Sequence, residues 1–384
     1  MRGKYTLVLA LHLLSTTLIL KIIDFILPIA HLLTILICSC ISTYILWICI
    51  AWISFQYTKG KFLNEKVEAG YRAVFITGCD SGFGHELAKR LDSKGFRVFA
   101  SCLFPDGKGA SELKKHCSDR LHVLPLDVRQ NESVEKAVEY VKENLGNSVL
   151  WAVVNNAGIL KGFSVEMSTL HEFKDVLDVN FLGTVRVTKA FLPLLKWSKG
   201  RIVNVTSLGG EISFPFIAPY IASKFATVGF TDCLRHEIKM QEISVVSVEP
   251  EVFLTPMAYP ATINKNLDLK KLEGAGSSFN YYYDEDFYAS GYQKSLKDLI
   301  NVTLSFACPD ISIVVDDLEL AVSLVHPDHT YKPRRHTLAR FIFFCYEVMP
   351  RSCQILIVKI GLFVFFSESK ILKKIVMKII SLII

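Results

Sequence analysis

The sequence predicts an α/β fold, a doubly wound parallel sheet, with an apolar segment in front and a basic amphipathic segment behind. Three observations carry this. A short apolar run at residues 71–76 leads at once into the glycine pattern Thr77-Gly-Cys-Asp-Ser-Gly-Phe-Gly84 and then into a helical stretch. Apolar runs of that kind recur, alternating with helical stretches, as far as Val248. The 384 residues are 51% hydrophobic, with a mean hydropathy of +0.34, but the excess is concentrated at the two ends. The middle, about 260 residues, can bury one sizeable core.

The N-terminal segment reads as a membrane anchor over residues 1–57. Residues 5–20 carry no charge, and residues 25–53 form a second uncharged run after Lys21 and Asp24. A bilayer needs about 20 apolar residues, so the second run is long enough to span and the first is marginal. No small-residue cleavage site precedes the second run, which favours a retained anchor, one or two helices, over a signal peptide. Trp47, Trp52 and Tyr57 sit where interfacial aromatics would, and Lys59, Lys61, Lys66 and Arg72 follow. With Arg2 and Lys4 at the other flank, the positive-inside tendency puts the domain beyond on the cytosolic side. A linker over 58–70 follows, then a catalytic domain over 71–330.

Within that domain, residues 71–76 read as a buried strand, 85–93 as a helix ended by Gly95, and 96–101 as a second strand. Strand, glycine-rich turn, helix and strand in that order let a pyrophosphate approach backbone N–H groups at a helix start. Gly78, Gly82 and Gly84 are the positions that need no side chain. Residues 122–128 read as the third strand, 133–144 as a helix and 150–154 as a strand running into Asn155-Asn-Ala-Gly158. A long helical stretch over 173–191 follows, then a strand ending at Ser207, a loop over 208–219, a helix containing Tyr220-Ile-Ala-Ser-Lys224, and a strand at 243–248. On a helix, Tyr220 and Lys224 share one face a turn apart. A phenol alone keeps its proton to about pH 10, and an ammonium a few ångströms away pulls that value toward the working range.

The glycine turn, Asn155-Asn-Ala-Gly158, Asp178-Val-Asn180, Ser207 and the Tyr220–Lys224 pair, in this order, resemble the short-chain dehydrogenase/reductase family over about residues 71–330. The resemblance implies a Rossmann-type fold and a nicotinamide cofactor held by Thr77, Gly78, Ser81, Gly82, Phe83, Gly84, Asp127, Asn155, Ala157, Gly158, Tyr220, Lys224 and Thr255. It implies that Tyr220 exchanges a proton with the substrate hydroxyl and that Lys224 stabilises the phenolate and binds the nicotinamide ribose. Ser207 would hydrogen-bond the substrate oxygen, and Asn180 would link Lys224 to solvent through a water. For Asp127, a strand-end cap is nearly as good a reading as a place beside adenine. The acid that marks NAD in the family is missing, since its position by count is Cys102. No cation stands at Cys79, Ser101 or Cys102 to hold a 2′-phosphate, and Asp80 would repel one, which favours NAD over NADP. The sequence departs from the family at Glu249-Pro-Glu251, where Glu251 replaces a glycine and puts the geometry of the loop to Thr255 in doubt.

Phe279, Tyr281, Tyr282, Tyr283, Phe287, Tyr288 and Tyr292 would line a variable substrate lid, or pack beneath a long loop. Residues 331–384 hold ten Lys or Arg against Glu347 and Glu368, a net of +8, leaving the rest of the chain at −2. This points to a basic tail, not a nucleic-acid surface. Lys370, Lys373, Lys374 and Lys378 face away from Leu372, Ile375, Val376 and Ile379 on one helix, suited to an anionic membrane or to packing on a protein surface. The cysteines, ten in all, include no CxxC pair and read as reduced thiols, with no metal site. Of the sequons at Asn131, Asn204 and Asn301, the second lies in a core strand. Within the family, the turn Gly78-Cys-Asp-Ser-Gly-Phe-Gly84, the strand end Val98-Phe-Ala-Ser-Cys-Leu103, Phe191-Leu-Pro-Leu-Leu195 and Asp232-Cys-Leu-Arg235 resemble one branch, that of retinol dehydrogenases, the type 2 estradiol 17-beta-dehydrogenase and the mitochondrial D-beta-hydroxybutyrate dehydrogenase. The expected function is membrane-bound oxidation of a hydroxysteroid or retinol, on the endoplasmic reticulum or, alternatively, a mitochondrial membrane. Oxidation of 3-hydroxybutyrate and a non-catalytic scaffold are the alternatives, and a homodimer is an open one.

Overall fold

The computed structural model describes residues 64–166, 168–258 and 307–366, with scattered residues between Leu14 and Ile50. The chain divides into two compact units, Met1–Glu65 and Lys66–Ile384. In the first, the described residues between Leu14 and Ile50 are helical and exposed, among them Leu14, Leu18, Ile22, Ile26, Trp47 and Ile50. Among the described residues no helix is long and apolar enough to cross a membrane, and most of the expected anchor lies outside them.

The second unit is built on a seven-stranded sheet: β1 (Arg72–Ile76), β2 (Arg97–Cys102), β3 (Leu121–Pro125), β4 (Val149–Asn155), β5 (Arg201–Val205), β6 (Ser244–Val248) and β7 (Thr330–Tyr331). Every neighbouring pair is parallel, in the order β3-β2-β1-β4-β5-β6-β7. The connecting helices are α1 (Gly82–Ser93), α2 (Lys108–His116), α3 (Asn131–Asn144), α4 (Leu170–Leu177), α5 (Thr184–Ser198), α6 (Ala218–Glu237) and α7 (Ser312–Ser323), and α8 (Thr337–Val348) and α9 (Arg351–Phe366) follow β7. Both sheet faces are covered, so the strands are continuous apolar runs. Side-chain alternation divides them. Val74 and Ile76 of β1 pack with α1 and α7, while Ala73 and Phe75 pack with α3, α5 and α6. Strand order reverses between β1 and β4. In open α/β sheets ligands bind at that point, outside the carboxyl ends of the strands.

Three elements differ from expectation in ways that shape the site. The stretch read as one helix from 173 to 191 is broken at Asp178–Gly183 by a π-helical turn. There Gly183 passes so close to Val128 that a Cβ would sit 2.7 Å from its Cγ2, and the extra residue of a π-turn re-aims the side chains around it. The third strand ends at Pro125, on the open edge of the sheet, where a residue without an N–H is tolerated, and Leu126 N still donates to Cys102 O at 2.9 Å. The helix carrying Tyr220 begins earlier, at Ala218, with Pro219 in its first turn, where a missing N–H costs nothing.

Strand β7 straddles the boundary drawn at 330/331. Beyond it, Arg334 is buried, and Lys332 is held by Glu211 and Glu347. The basic run Tyr331-Lys-Pro-Arg-Arg335 is therefore part of the folded unit. Residues 370–378, with the lysine face expected of the tail, lie outside the described residues, as do the lid aromatics between Phe279 and Tyr292 and the sequon at Asn301. Asn204 is fully buried in β5. Its amide accepts from Asn155 at 2.8 Å and donates to Thr231 at 2.9 Å, so it cannot serve as a glycan acceptor in the folded chain.

Candidate active site

The turn after β1 is held by the turn after β4. Thr77 Oγ1 accepts hydrogen bonds from the amides of Asn156 and Ala157, both at 2.9 Å. Asn156 Nδ2 donates to Thr77 O at 2.8 Å and Gly78 O at 3.0 Å. Gly78 has φ +70°, and a Cβ there would lie 2.9 Å from Ala157 Cα, so this position needs glycine for both conformation and space. Gly84 packs directly against Asn156 Nδ2. Asn156, which the sequence did not single out, thus locks the glycine turn. Asn155 instead is buried, its Nδ2 donating to Thr188 and Asn204, and works as an internal tie between β4, α5 and β5.

Ser81 stands at the N-cap of α1 with an extended backbone, makes no capping hydrogen bond, and no acid lies in the first turn. Those first N–H groups have no helical partners, and a helix start of this kind suits an anion such as a pyrophosphate. A Cβ on Gly82 would lie 3.7 Å from the Thr255 side chain, in ordinary contact, so Thr255 packs at the same turn. These features fit a dinucleotide. At its adenosine end, Asp80 accepts from the amides of Leu103 and Phe104, both at 2.9 Å, which fixes a carboxylate at the end of β2. Cys79 and Cys102 are buried thiols, and burial pushes Cys102 up to about 12. Asp127 is clasped by Arg129, whose Nε and Nη2 donate at 2.9 and 2.7 Å, and the guanidinium holds its carboxyl below the usual range.

The second half of the site lies at the end of β5. Ser207 Oγ accepts from Gly209 N at 3.0 Å and lies beside the Tyr220 ring, since a Cβ on Gly209 would meet Ser207 Oγ at 3.4 Å and Tyr220 Cε1 at 3.6 Å. Lys224, on the same helix and buried, has its Nζ 5.7 Å from the centre of the Tyr220 ring and donates to Val205 O at 2.9 Å. Asn180, in the π-helical turn, accepts from Ile159 N at 2.8 Å and donates to Ile159 O at 3.0 Å and Ser223 Oγ at 2.9 Å. Its side chain anchors the segment after Gly158 to the Tyr220 helix. Thr184 and Thr227 donate to its carbonyl.

The electrostatics differ from the simple picture of an ammonium acidifying a phenol. Burial raises the Tyr220 phenol above its ordinary value, with the Ser207 side chain pulling the other way. Burial also lowers Lys224 to about 8. Both groups are desolvated, so each disfavours its charged form.

The model of the short chain dehydrogenase family matches residues 72–266. The chain belongs to this family. It is 40% identical over 265 residues to estradiol 17-beta-dehydrogenase 2 of Mus musculus, covering 69% of this chain and 68% of that one. Retinol dehydrogenase 7 of Mus musculus is 36% identical over 289 residues, 74% of this chain and 89% of its own. The mitochondrial D-beta-hydroxybutyrate dehydrogenase of Rattus norvegicus is 45% identical, but over 201 residues, 51% of this chain and 59% of its own. The fold matches a short chain dehydrogenase/reductase from Burkholderia phymatum in complex with NAD, with a TM-score of 0.57 at 19% identity over 72% of this chain and 93% of that one. It also matches a short chain dehydrogenase from Burkholderia cenocepacia in complex with NADP, with a TM-score of 0.55 at 20% identity over 76% and 99%. The chain is a nicotinamide-dependent alcohol dehydrogenase.

Proposed function

We propose that this dehydrogenase oxidises the hydroxyl of a hydroxysteroid or of retinol, with NAD, while bound to a membrane. The observation that carries the reading is the grouping of Ser207, Tyr220 and Lys224 at the end of β5, beside the glycine turn locked by Asn156. When bound, the nicotinamide supplies the hydride acceptor, and the protein positions and polarises. Ser207 and Tyr220 hold the substrate oxygen. Tyr220 takes the hydroxyl proton in oxidation and returns it in reduction, and Lys224 supports the phenolate through its charge. Asn180 acts as a positioning residue, setting the Tyr220 helix against the segment after Gly158. In the dinucleotide grip, Asp80 favours NAD, since its fixed carboxylate repels a 2′-phosphate.

An apolar substrate is supported by the loop between Ser207 and Tyr220. Phe216 has φ +68°, an unusual conformation for a bulky residue that clusters at functional sites. It stacks on Phe163 at 5.3 Å, next to the start of the Tyr220 helix. Membrane binding is supported by the apolar run at 25–53 and by α8 and α9, where Phe344, Val348, Ile355, Leu356, Ile357 and Ile360 are exposed. The endoplasmic reticulum, with the domain facing the cytosol, is the site we favour over a mitochondrial membrane, and a homodimer is part of the reading. The second reading, oxidation of 3-hydroxybutyrate, is favoured by the 45% identity over 201 residues. The scaffold reading loses its support, because the Glu251 carboxylate turns to Arg335.

A panel of estradiol, retinol and 3-hydroxybutyrate, each with NAD and NADP, tests the proposal. Turnover of a steroid or retinol with NAD is expected. Turnover of 3-hydroxybutyrate alone would overturn the substrate class, and a preference for NADP would overturn the part given to Asp80.

A further inference from the structure

After β7 the chain does not leave the sheet. It continues beside β6 and the loop that follows: Glu249 N donates to Tyr331 O at 2.9 Å, and Glu251 N to Pro333 O at 3.4 Å. Within this stretch, three cations go to three different places. Lys332 Nζ donates to both oxygens of Glu211, at 2.9 and 2.7 Å, and to Glu347 on α8 at 2.7 Å. Arg334 Nη1 donates to Glu249 O at 2.6 Å. The Arg335 amide and its Nε both donate to Glu251 Oε1, at 2.7 and 3.2 Å.

Apart from Glu347 on α8, each acceptor belongs to a loop of the site. Glu211 closes the short turn that begins at Ser207, and Glu249 and Glu251 open the loop that carries Thr255 to the glycine turn. The two loops are also joined, since Leu208 N donates to Pro250 O at 2.9 Å. We propose that residues 332–335 form a clamp that sets the position of both loops, acting through Glu211, Glu249 and Glu251, and thereby governs dinucleotide affinity. The clamp rests on the dehydrogenase reading above. It also gives a use to Glu251, where the family has glycine: the carboxylate replaces a loop's intrinsic geometry with a tether.

The charge balance supports this. Four carboxylates, of Glu211, Glu249, Glu251 and Glu347, face the three cations Lys332, Arg334 and Arg335. The excess is resolved at Glu249. Its Oε1 accepts from Ser247 at 2.8 Å, and its buried Oε2 has no hydrogen-bond partner. Burial and the adjacent Glu211 raise Glu249 to about 8. Protonation there lowers the excess of carboxylate charge over the three cations.

The test is a double-mutant cycle on Glu251→Gln and Arg335→Gln, read by NADH fluorescence titration, by KM and kcat for the dinucleotide, and by thermal melting. Each single variant should weaken NADH binding about ten-fold or more, the equivalent of one charge-assisted hydrogen bond lost, with kcat little changed. A merely structural pair would behave differently in the double variant, where no buried charge is left unpaired, and would regain melting temperature and NADH affinity together. The clamp predicts regained melting temperature with affinity still lost. If the double variant does not fold, Arg335→Lys, which keeps a cation but not the planar donor, serves in its place: weakened NADH binding in a folded protein supports the clamp, and affinity equal to the parent overturns it. Folded Gln variants with unchanged affinity would likewise overturn it. Failure of the unaltered protein to bind NADH would remove the dehydrogenase reading itself, and the clamp with it.

Discussion

Replacing Gly84 with alanine would place a methyl carbon 2.7 Å from Gly78 O and closer still to Asn156 Nδ2. A carbonyl of the turn cannot yield, so Asn156 must move. It would then give up its hydrogen bonds to Thr77 O and Gly78 O, roughly 1 kcal/mol each. Overpacking adds about 1–3 kcal/mol, and the better helix propensity of alanine returns about 1 kcal/mol. The net loss is roughly 2–4 kcal/mol, which for a domain of this size lowers the melting temperature by about 4–16 °C. Gly229→Ala is the matched control. It lies in α6 with nothing within 4 Å of the added carbon, so it should be neutral or stabilising. Thermal melts and NADH titrations of the two variants side by side make the assay. Equal melting temperatures would refute the claim that Asn156 locks the glycine turn by contact.

Arg201 is buried at the start of β5, with Nη1 donating to Ala321 O and Leu324 O at 3.0 and 2.6 Å and its guanidinium 4.3 Å above Trp151. Arg201→Ala should cost about 3 kcal/mol in denaturant melts, from two carbonyls left without donors and a lost cation–π contact. Burial raises Asp317 to about 6, so its stability term is present at low pH and is lost as pH rises through 6. Asp317→Asn should therefore melt with the parent near pH 4 and above it at pH 7–8. Asp80→Ala should lower the ratio of NAD to NADP affinity in paired titrations; an unchanged ratio would remove Asp80 from cofactor choice.

Much of the fold was legible because strands buried on both faces and glycine turns leave a strong local mark. The strand–turn–helix at 71–93 and the Tyr220 helix are of this kind. The break at Asp178–Gly183 was not, since it follows from Gly183 meeting Val128, a contact between segments far apart in sequence. Asn156 was passed over for a similar reason. An asparagine between Asn155 and Ala157 carries no signal of which neighbour turns inward, and only the packing of Gly84 decides it. The basic run at 331–335 illustrates the limit most sharply. By composition it belongs with the tail, yet its partners Glu211, Glu249 and Glu251 lie some eighty or more residues upstream, brought beside it by β7 pairing with β6. The phenol and amine were found together as the sequence implied, but their desolvation, which raises one and lowers the other, is a property of the folded surroundings.

The most direct measurement is turnover and NADH binding of Tyr220→Phe, made on one preparation. The account predicts that kcat falls by about 10²–10⁴, the contribution of a positioned proton donor, while NADH affinity stays at the parent's value. Turnover near that of the parent would mean that the proton travels by another group, and would contradict the mechanism at its centre.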